Sequence, residues 1–413
     1  MKLHTAVLTS VGIVASLVSP AAVAEGEFSA VVRVVPEVRE LRPDGPLRES
    51  AVLTDFGRDR LRAEVEARGK VQAMSYTGTL RTTGVEGVEP RHEGILNELY
   101  VDAPLFGQSF TLGKKIAGWG VGFGFRPLDV VQQQDRRLLY QFTLEGIPAI
   151  AWEHFTESSA WTVLYANPTN GKGREIRDDE SLAVRWFRQS GSTDLHAVAR
   201  FGERQRLQLG GGVNHVVNDA IQVYGSVLVA QRHERWVNRL TESGGALLSA
   251  AYPLHEVRHG RAWQAAVGGT WTGTSGFGVM LEAWYDGTAY TREQWQALAR
   301  LAEQQDALLG APGVPDLAVR GNLAWNLRYF ERPNLVRENV LVRLSYTGDQ
   351  WDAALDALFT PVDGGSVVTA TVTRQFDRVR WDLGVRRFGG PGDSAAGLLP
   401  DRTVAYLAAQ VFF

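Results

Sequence analysis

The sequence predicts an all-β fold, a transmembrane antiparallel β-barrel of about 18 strands. Three observations predict it. The chain opens with an export signal and then offers no helix long enough to span a membrane. Segment after segment alternates apolar and polar residues with period two. Short turns alternate with long loops, the rhythm of an outer-membrane barrel wall.

The export signal is read first. Met1 and Lys2 supply a short positive region, Thr5 to Val18 is mostly apolar, and Ala22-Val23-Ala24 is a cleavage pattern before Glu25. Residues 1–24 are therefore assigned as a signal peptide and 25–413 as a single barrel domain. No later segment reaches the roughly 18 consecutive apolar residues of a spanning helix. An exported chain of this kind is periplasmic, secreted or a barrel.

The strands follow from the alternation. Leu61, Ala63, Val65 and Ala67 alternate with Arg62, Glu64, Glu66 and Arg68. Leu195, Ala197, Ala199 and Phe201 alternate with His196, Val198 and Arg200. The last segment places Ala405, Leu407, Ala409 and Val411 on one face, and Arg402, Val404, Tyr406, Ala408 and Gln410 on the other. A soluble antiparallel sheet would alternate in the same way, so the connections carry the distinction. Short turns fall near 68–70, 106–107, 157–158, 190–191, 218–219, 274–276, 348–349 and 377. Long loops cover about 37–59, 82–95, 117–146, 168–180, 231–261, 287–334 and 389–401, with two short exceptions near 203–204 and 360–365. About 18 strands result, with 16 as the alternative count, and an even number puts both termini on the periplasmic side.

Composition agrees. A mean hydropathy of -0.15 suits a wall with one lipid face and one aqueous face. Cysteine is absent, which excludes disulfides and thiolate metal sites. The 12 Trp and 11 Tyr suit interfacial girdles, and the 44 Gly suit turns and close strand approaches. A net charge of -3 gives no basic field for nucleic acid, so no nucleic-acid partner is expected. Of the 43 basic residues 38 are Arg, the side chain best able to pair bidentately with carboxylates, sulfates and phosphates, although a GC-rich genome gives the same bias.

Two segments carry a resemblance. The closing strand with its terminal Phe413 resembles the C-terminal strand of bacterial outer-membrane β-barrels, where it serves as the assembly signal. That resemblance implies recognition by the barrel-assembly machinery in a Gram-negative outer membrane. Gly113-Lys114-Lys115, then Trp119-Gly120, then Pro127-Leu128-Asp129 is similar to the Gly-Arg-Gln, Trp-Gly, Asn-Pro-Leu-Asp element of alginate-export-type and related porin-like families. Lys replaces Arg-Gln here, and Arg126 precedes the Pro. The likeness covers residues 113–129, implies a loop folded into the lumen, and carries over no substrate.

Candidate pore-lining and constriction residues follow from the register and that loop: Arg62, Arg68, Arg126, Asp129, Arg200, Arg343, Arg378, Arg380, Asp382 and Arg386. An interior lined by both signs is too polar for a packed core, so it reads as water-filled. The arginines either draw anions through a selective pore or form an Arg–carboxylate ladder that stiffens the wall; the two are compatible. Loop 287–334 holds a helix, with Thr291 and Gln294 as a capping box and Trp295, Leu298 and Leu301 in an apolar stripe that stops at Gly310. The stripe is expected to bury itself at the pore mouth as a lid or plug, or against the outer leaflet or a partner.

His255-Glu256-Val257-Arg258-His259 is a literal His-Glu-x-x-His. Zinc hydrolases need it on a helix, whereas Pro253 and Gly260 flank it here and Arg258 adds a cation, so a chance match is expected. No catalytic residue, metal or cofactor is assigned. The expected function is a porin-like outer-membrane channel for small polar solutes, anionic ones included, or for an anionic exopolymer. Its other partners are outer-membrane lipid and lipopolysaccharide. The alternative is a barrel whose loops do the work, as a hydrolase or a binding or assembly partner.

Overall fold

The computed structural model describes residues 27–133, 139–140, 143–167, 179–242 and 245–413. The segment read as an export signal, most of the 168–180 loop and residues 134–138 and 141–142 of the 117–146 loop lie outside these residues. Eighteen strands form one closed antiparallel barrel. Its first eleven strands are β1 (Glu27–Leu41), β2 (Arg60–Val71), β3 (Met74–Val85), β4 (Arg91–Leu105), β5 (Gln108–Lys115), β6 (Ile147–Phe155), β7 (Ser159–Ala166), β8 (Ser181–Ser190), β9 (Thr193–Gly202), β10 (Arg206–Asn218) and β11 (Ile221–Ala230). A separate hairpin, β12 (His233–Asn238) and β13 (Leu254–His259), rises from the loop that follows. The wall resumes with β14 (Ala262–Thr272), β15 (Phe277–Asp286), β16 (Glu338–Thr347), β17 (Trp351–Thr360), β18 (Gly365–Gln375), β19 (Val379–Gly389) and β20 (Asp401–Phe412). Every wall strand pairs with its neighbours in the chain, and β20 closes the ring on β1 with Val31 opposite Phe412 and Val34 opposite Ala409. No strand of the wall is left with a free edge to aggregate.

The period-two pattern sorts the faces. Leu112, Val267, Leu281, Leu383 and Leu407 are exposed on the outside, where lipid would cover them. Glu64, Glu66, Arg33, Tyr406 and Ala408 are buried on the inside. Trp161 and Trp186 pair across strands near the short-turn end. Trp263 and Tyr285 stack at 4.2 Å near the long-loop end. Aromatic pairs near both ends of the wall fit the girdles expected of a membrane barrel.

Several bounds differ from the sequence reading. β1 runs on to Leu41, through Pro36. The missing N–H of Pro36 leaves only a gap in the β1–β20 ladder between Val34 and Glu37, while its pairing with Leu61 on β2 persists. The loop expected at 82–95 shrinks to 86–90, because β3 and β4 extend beyond the wall as a hairpin. Arg378 is not on the lumenal face: it lies exposed in the turn between β18 and β19.

The long loops build a cap with its own core. Helix α1 (Arg292–Asp306) starts at the capping box, with both Thr291–Gln294 hydrogen bonds made. A second helix, α2 (Asp316–Asn326), follows Pro315 and was not expected from the sequence, although Val319 and Leu323 lie four apart on its buried face. Trp295, Leu298 and Leu301 are buried. Trp295 and Leu298 share a core with Leu47, Leu254, Tyr329 and Leu398, from three other loops and the segment after α2. The apolar stripe is thus covered by other outer loops rather than by the lumen or by lipid.

The candidate pore and its lumenal loop

The lumen takes its shape from the connection between β5 and β6. Ala149, Ala151, Ala166 and Ala183 face inward on β6–β8, and small side chains there leave a recess in the wall. Trp119, Leu128 and Val131 fill it. Leu128 presses on β10 where no side chain intervenes: a Cβ at Gly210 would lie 2.7 Å from a Leu128 methyl, and one at Gly212 would lie 3.0 Å away. Glycine at these two positions is what allows the loop to dock.

Hydrogen bonds brace the loop from within. Asp129 is buried and accepts the Trp119 N–H at 2.6 Å and the Gly120 N–H. Gln132 accepts the Ala117 N–H at 2.9 Å and donates to the Glu145 carbonyl at 2.7 Å. Asn97, on β4, donates to the carbonyls of Thr143 and Leu144. Asp129 is thus occupied inside the loop and does not project toward the channel as a charge.

The same loop reaches the far walls. Phe125 packs with Met280, Trp284 and Leu341 on β15 and β16. Glu282 on β15 accepts the N–H groups of Phe123, Gly124 and Phe125. Leu139 and Tyr140 pack against Val35, Tyr406 and Ala408 on β1 and β20, with the two tyrosine rings 5.2 Å apart. Thr143 donates to Glu66 on β2. One loop therefore touches the lumenal surface on several sides and narrows it. Arg126 sits at its tip, with Nε donating to the Gly122 carbonyl at 2.7 Å and no carboxylate partner among the described residues.

The wall arginines are mostly paired. Arg68 meets Glu66 at 2.6 Å, Arg200 meets Asp179 at 3.1 Å, Arg343 meets Asp356 at 2.9 Å, and Arg380 meets Asp382 at 2.9 Å. Arg200 is buried near the loop end, where Ser181, Gln205 and Gln208 also accept from it. The Arg343 guanidinium also lies 4.8 Å over the Phe123 ring at the loop tip. A continuous network crosses the closing seam: Arg380 to Asp382, Asp382 to Gln410, Gln410 to Arg33, and Arg33 to Glu66. Arg386 donates to Thr369 at 2.9 Å. Arg62 and Arg386 share a cavity of about 190 Å³ with Arg39, Arg60, Tyr140 and Phe56. Arg68, Arg200, Arg343 and Arg380 are thus offset by carboxylates, whereas Arg126 on the loop has no carboxylate partner among the described residues.

The His-Glu-x-x-His segment is strand β13, with His233 opposite His259 and Val237 opposite His255. Residues four apart on a strand stand about 13 Å apart, too far to share one metal ion. Among the described residues no group of three or more His, Cys, Asp and Glu is placed to hold a metal. Glu256 pairs instead with Arg204, and Glu282 with the loop.

No protein-family model matches the sequence, and no characterised protein matches it at the sequence level. The likeness of residues 113–129 to the alginate-export type therefore stays local, and membership of that family is not shown. Solved structures do match over nearly the whole chain. Pseudomonas aeruginosa OccK8 (OprE) superposes with a TM-score of 0.53 at 9% identity, covering 94% of this chain and 98% of its own. OccK5 (OpdH) from the same organism gives 0.52 at 8%, with the same coverage. Acinetobacter baumannii OccAB1 gives 0.52 at 8%, covering 96% of this chain and 98% of its own. The chain shares the barrel fold of these proteins, and its own wall has 18 strands.

Proposed function

We propose that this protein is an outer-membrane channel for small polar solutes, with a preference for anions. The observation that carries the reading is the lumenal loop, which leaves the β5–β6 edge, packs on β15 and reaches β20, and which carries Arg126 directly after the residues that touch β15. An inward loop of this kind sets pore size and field at one level while the barrel supplies the passage. The crossing favours small solutes over an exopolymer, which needs a wide and continuous bore. The outer-membrane location is supported by the barrel likeness to the Occ structures, the apolar outer face and the aromatic pairs near both ends of the wall. Phe413 stands exposed at the end of β20 and is offered as the contact for the assembly machinery.

Purified protein in planar bilayers tests this. The wild type is expected to open, and its reversal potential in a salt gradient to favour the anion. Arg126→Gln is expected to move that potential toward zero. Arg380→Ala should move it less, because Asp382 already offsets Arg380. A wild type with no openings contradicts the proposal.

A further inference from the structure

Glu282 has a set of partners that the wall does not need. It is fully buried on the lumenal face of β15. It makes no ion pair among the described residues. Its carboxylate accepts the N–H groups of Phe123 at 2.7 Å, Gly124 at 2.8 Å and Phe125 at 2.9 Å, and the hydroxyl of Tyr224 on β11. Three successive amides of the lumenal loop thus converge on one side chain of the barrel. The contact satisfies backbone donors at a buried place, where an unpaired N–H is costly.

The loop tip is shaped for this contact. Gly122 has a φ of +123°, which turns the following amides toward the wall at a conformation that L side chains rarely adopt. At Gly124 a Cβ would lie 3.0 Å from Trp284 and 3.1 Å from Glu282 and Leu341, so an added methyl would press on all three. Phe125 then seats against Trp284, with ring centroids 6.3 Å apart. Arg126 follows directly, and its Nε closes back on the Gly122 carbonyl at 2.7 Å. The position of the Arg126 charge in the lumen is therefore set by where residues 122–125 are held.

We infer that Glu282 is a positioning residue that latches the lumenal loop at its narrowing place and so fixes Arg126 in the path of the solute. This deepens the channel reading and rests on it. The wall carboxylate acts through the loop and touches no solute itself. Glu282→Ala removes all the acceptor oxygens. Glu282→Gln keeps one and turns the other into a donor that faces an N–H. The loop should loosen in the order wild type, Gln variant, Ala variant. Gly124→Ala attacks the same contact from the loop side and leaves the wall unchanged.

Two readouts separate the latch from the channel. Hydrogen exchange of residues 123–125 in detergent-solubilised protein needs no conduction. It should quicken at least about tenfold in Glu282→Ala. The strand amides of β14 and β16 should keep their protection. Single-channel recording should show the uniform wild-type level replaced by fluctuating, larger openings, with a weaker anion preference. Gly124→Ala should give the same changes to a smaller degree. A conducting wild type whose variants keep its exchange, level and selectivity would overturn the latch. A silent wild type whose variants nevertheless exchange faster at 123–125 would overturn the channel reading and support the latch as a structural clamp. If Glu282→Ala fails to fold, Gly124→Ala and Glu282→Gln decide by the same criteria.

Discussion

Replacing Leu128 by alanine should undock the middle of the lumenal loop and leave the barrel wall intact. Leu128 is completely buried in the recess of inward-facing alanines, and its methyls lie against the bare backbone of Gly210 and Gly212. A buried Leu→Ala change costs about 2.7–5.0 kcal/mol, the larger values where the surroundings cannot collapse. Here the recess is a sheet wall held by ladders on both sides of β10, so collapse is limited and about 3–5 kcal/mol is expected. At about 1.4 kcal/mol per tenfold, the undocked population should rise by about 100-fold or more. Hydrogen exchange reads this directly at Trp119 and Gly120, whose amides donate to Asp129 inside the loop. The β10–β11 ladder should keep its protection. Leu281→Ala, on the outer face, is the control and should change neither. Exchange at Trp119 and Gly120 within about threefold of wild type would refute the packing argument, and so would equal loosening of β10.

Three further outcomes follow from the geometry. Arg33→Ala removes the bridge between Gln410 on β20 and Glu66 on β2, and should lower resistance to urea unfolding by about 3 kcal/mol, at the low end for a buried pair because Arg68 and Thr143 still serve Glu66. Trp295→Ala should cost the cap about 3–5 kcal/mol and raise protease cleavage between α1 and α2, while the folded-barrel band on unheated gels persists. The β12–β13 hairpin should weaken in acid. Burial pushes His233 down from the ordinary 6.5 to about 4 and also lowers His259, with Arg235 and Arg332 near both rings and Arg337 near His259. A histidine held below its unfolded value contributes stability that is complete above about pH 6.5 and is lost as pH falls toward 4. Exchange of the hairpin amides at pH 7.5 and pH 4.5, corrected for intrinsic rate, checks this, and His233→Gln should remove most of the difference.

The wall was legible in the sequence because its information is local. Alternation places Leu407 and Ala409 opposite in direction to Tyr406 and Ala408, and a wall with an apolar outer face and a more polar inner face requires nothing more. Turn length likewise needs only neighbouring residues, and so does the capping box at Thr291. What the sequence could not supply depends on register between strands and on contacts far apart in the chain. Arg33 and Gln410 meet only because β20 closes on β1 with Val34 opposite Ala409. The cap core joins Leu47 to Leu398, and nothing near either residue announces the other. The loop expected from 37 begins later, because β1 continues through Pro36 and one ladder tolerates the missing donor. In the lumenal loop, Arg126 and the glycines signalled an inward approach. The role of Asp129 as an internal brace and of Glu282 as its wall anchor depends on side chains brought together across about 10–160 positions, beyond any periodic signal.

The central claim is that the loop between β5 and β6 is the narrowing that sets what passes. Single-channel conductance and reversal potential should be compared between the wild type and a variant in which residues 118–131 are replaced by a short Gly/Ser linker. The wild type should open at a small, uniform level with anion preference, and the replacement should give a larger level with that preference reduced. Equal conductance and equal selectivity in the two proteins would contradict it.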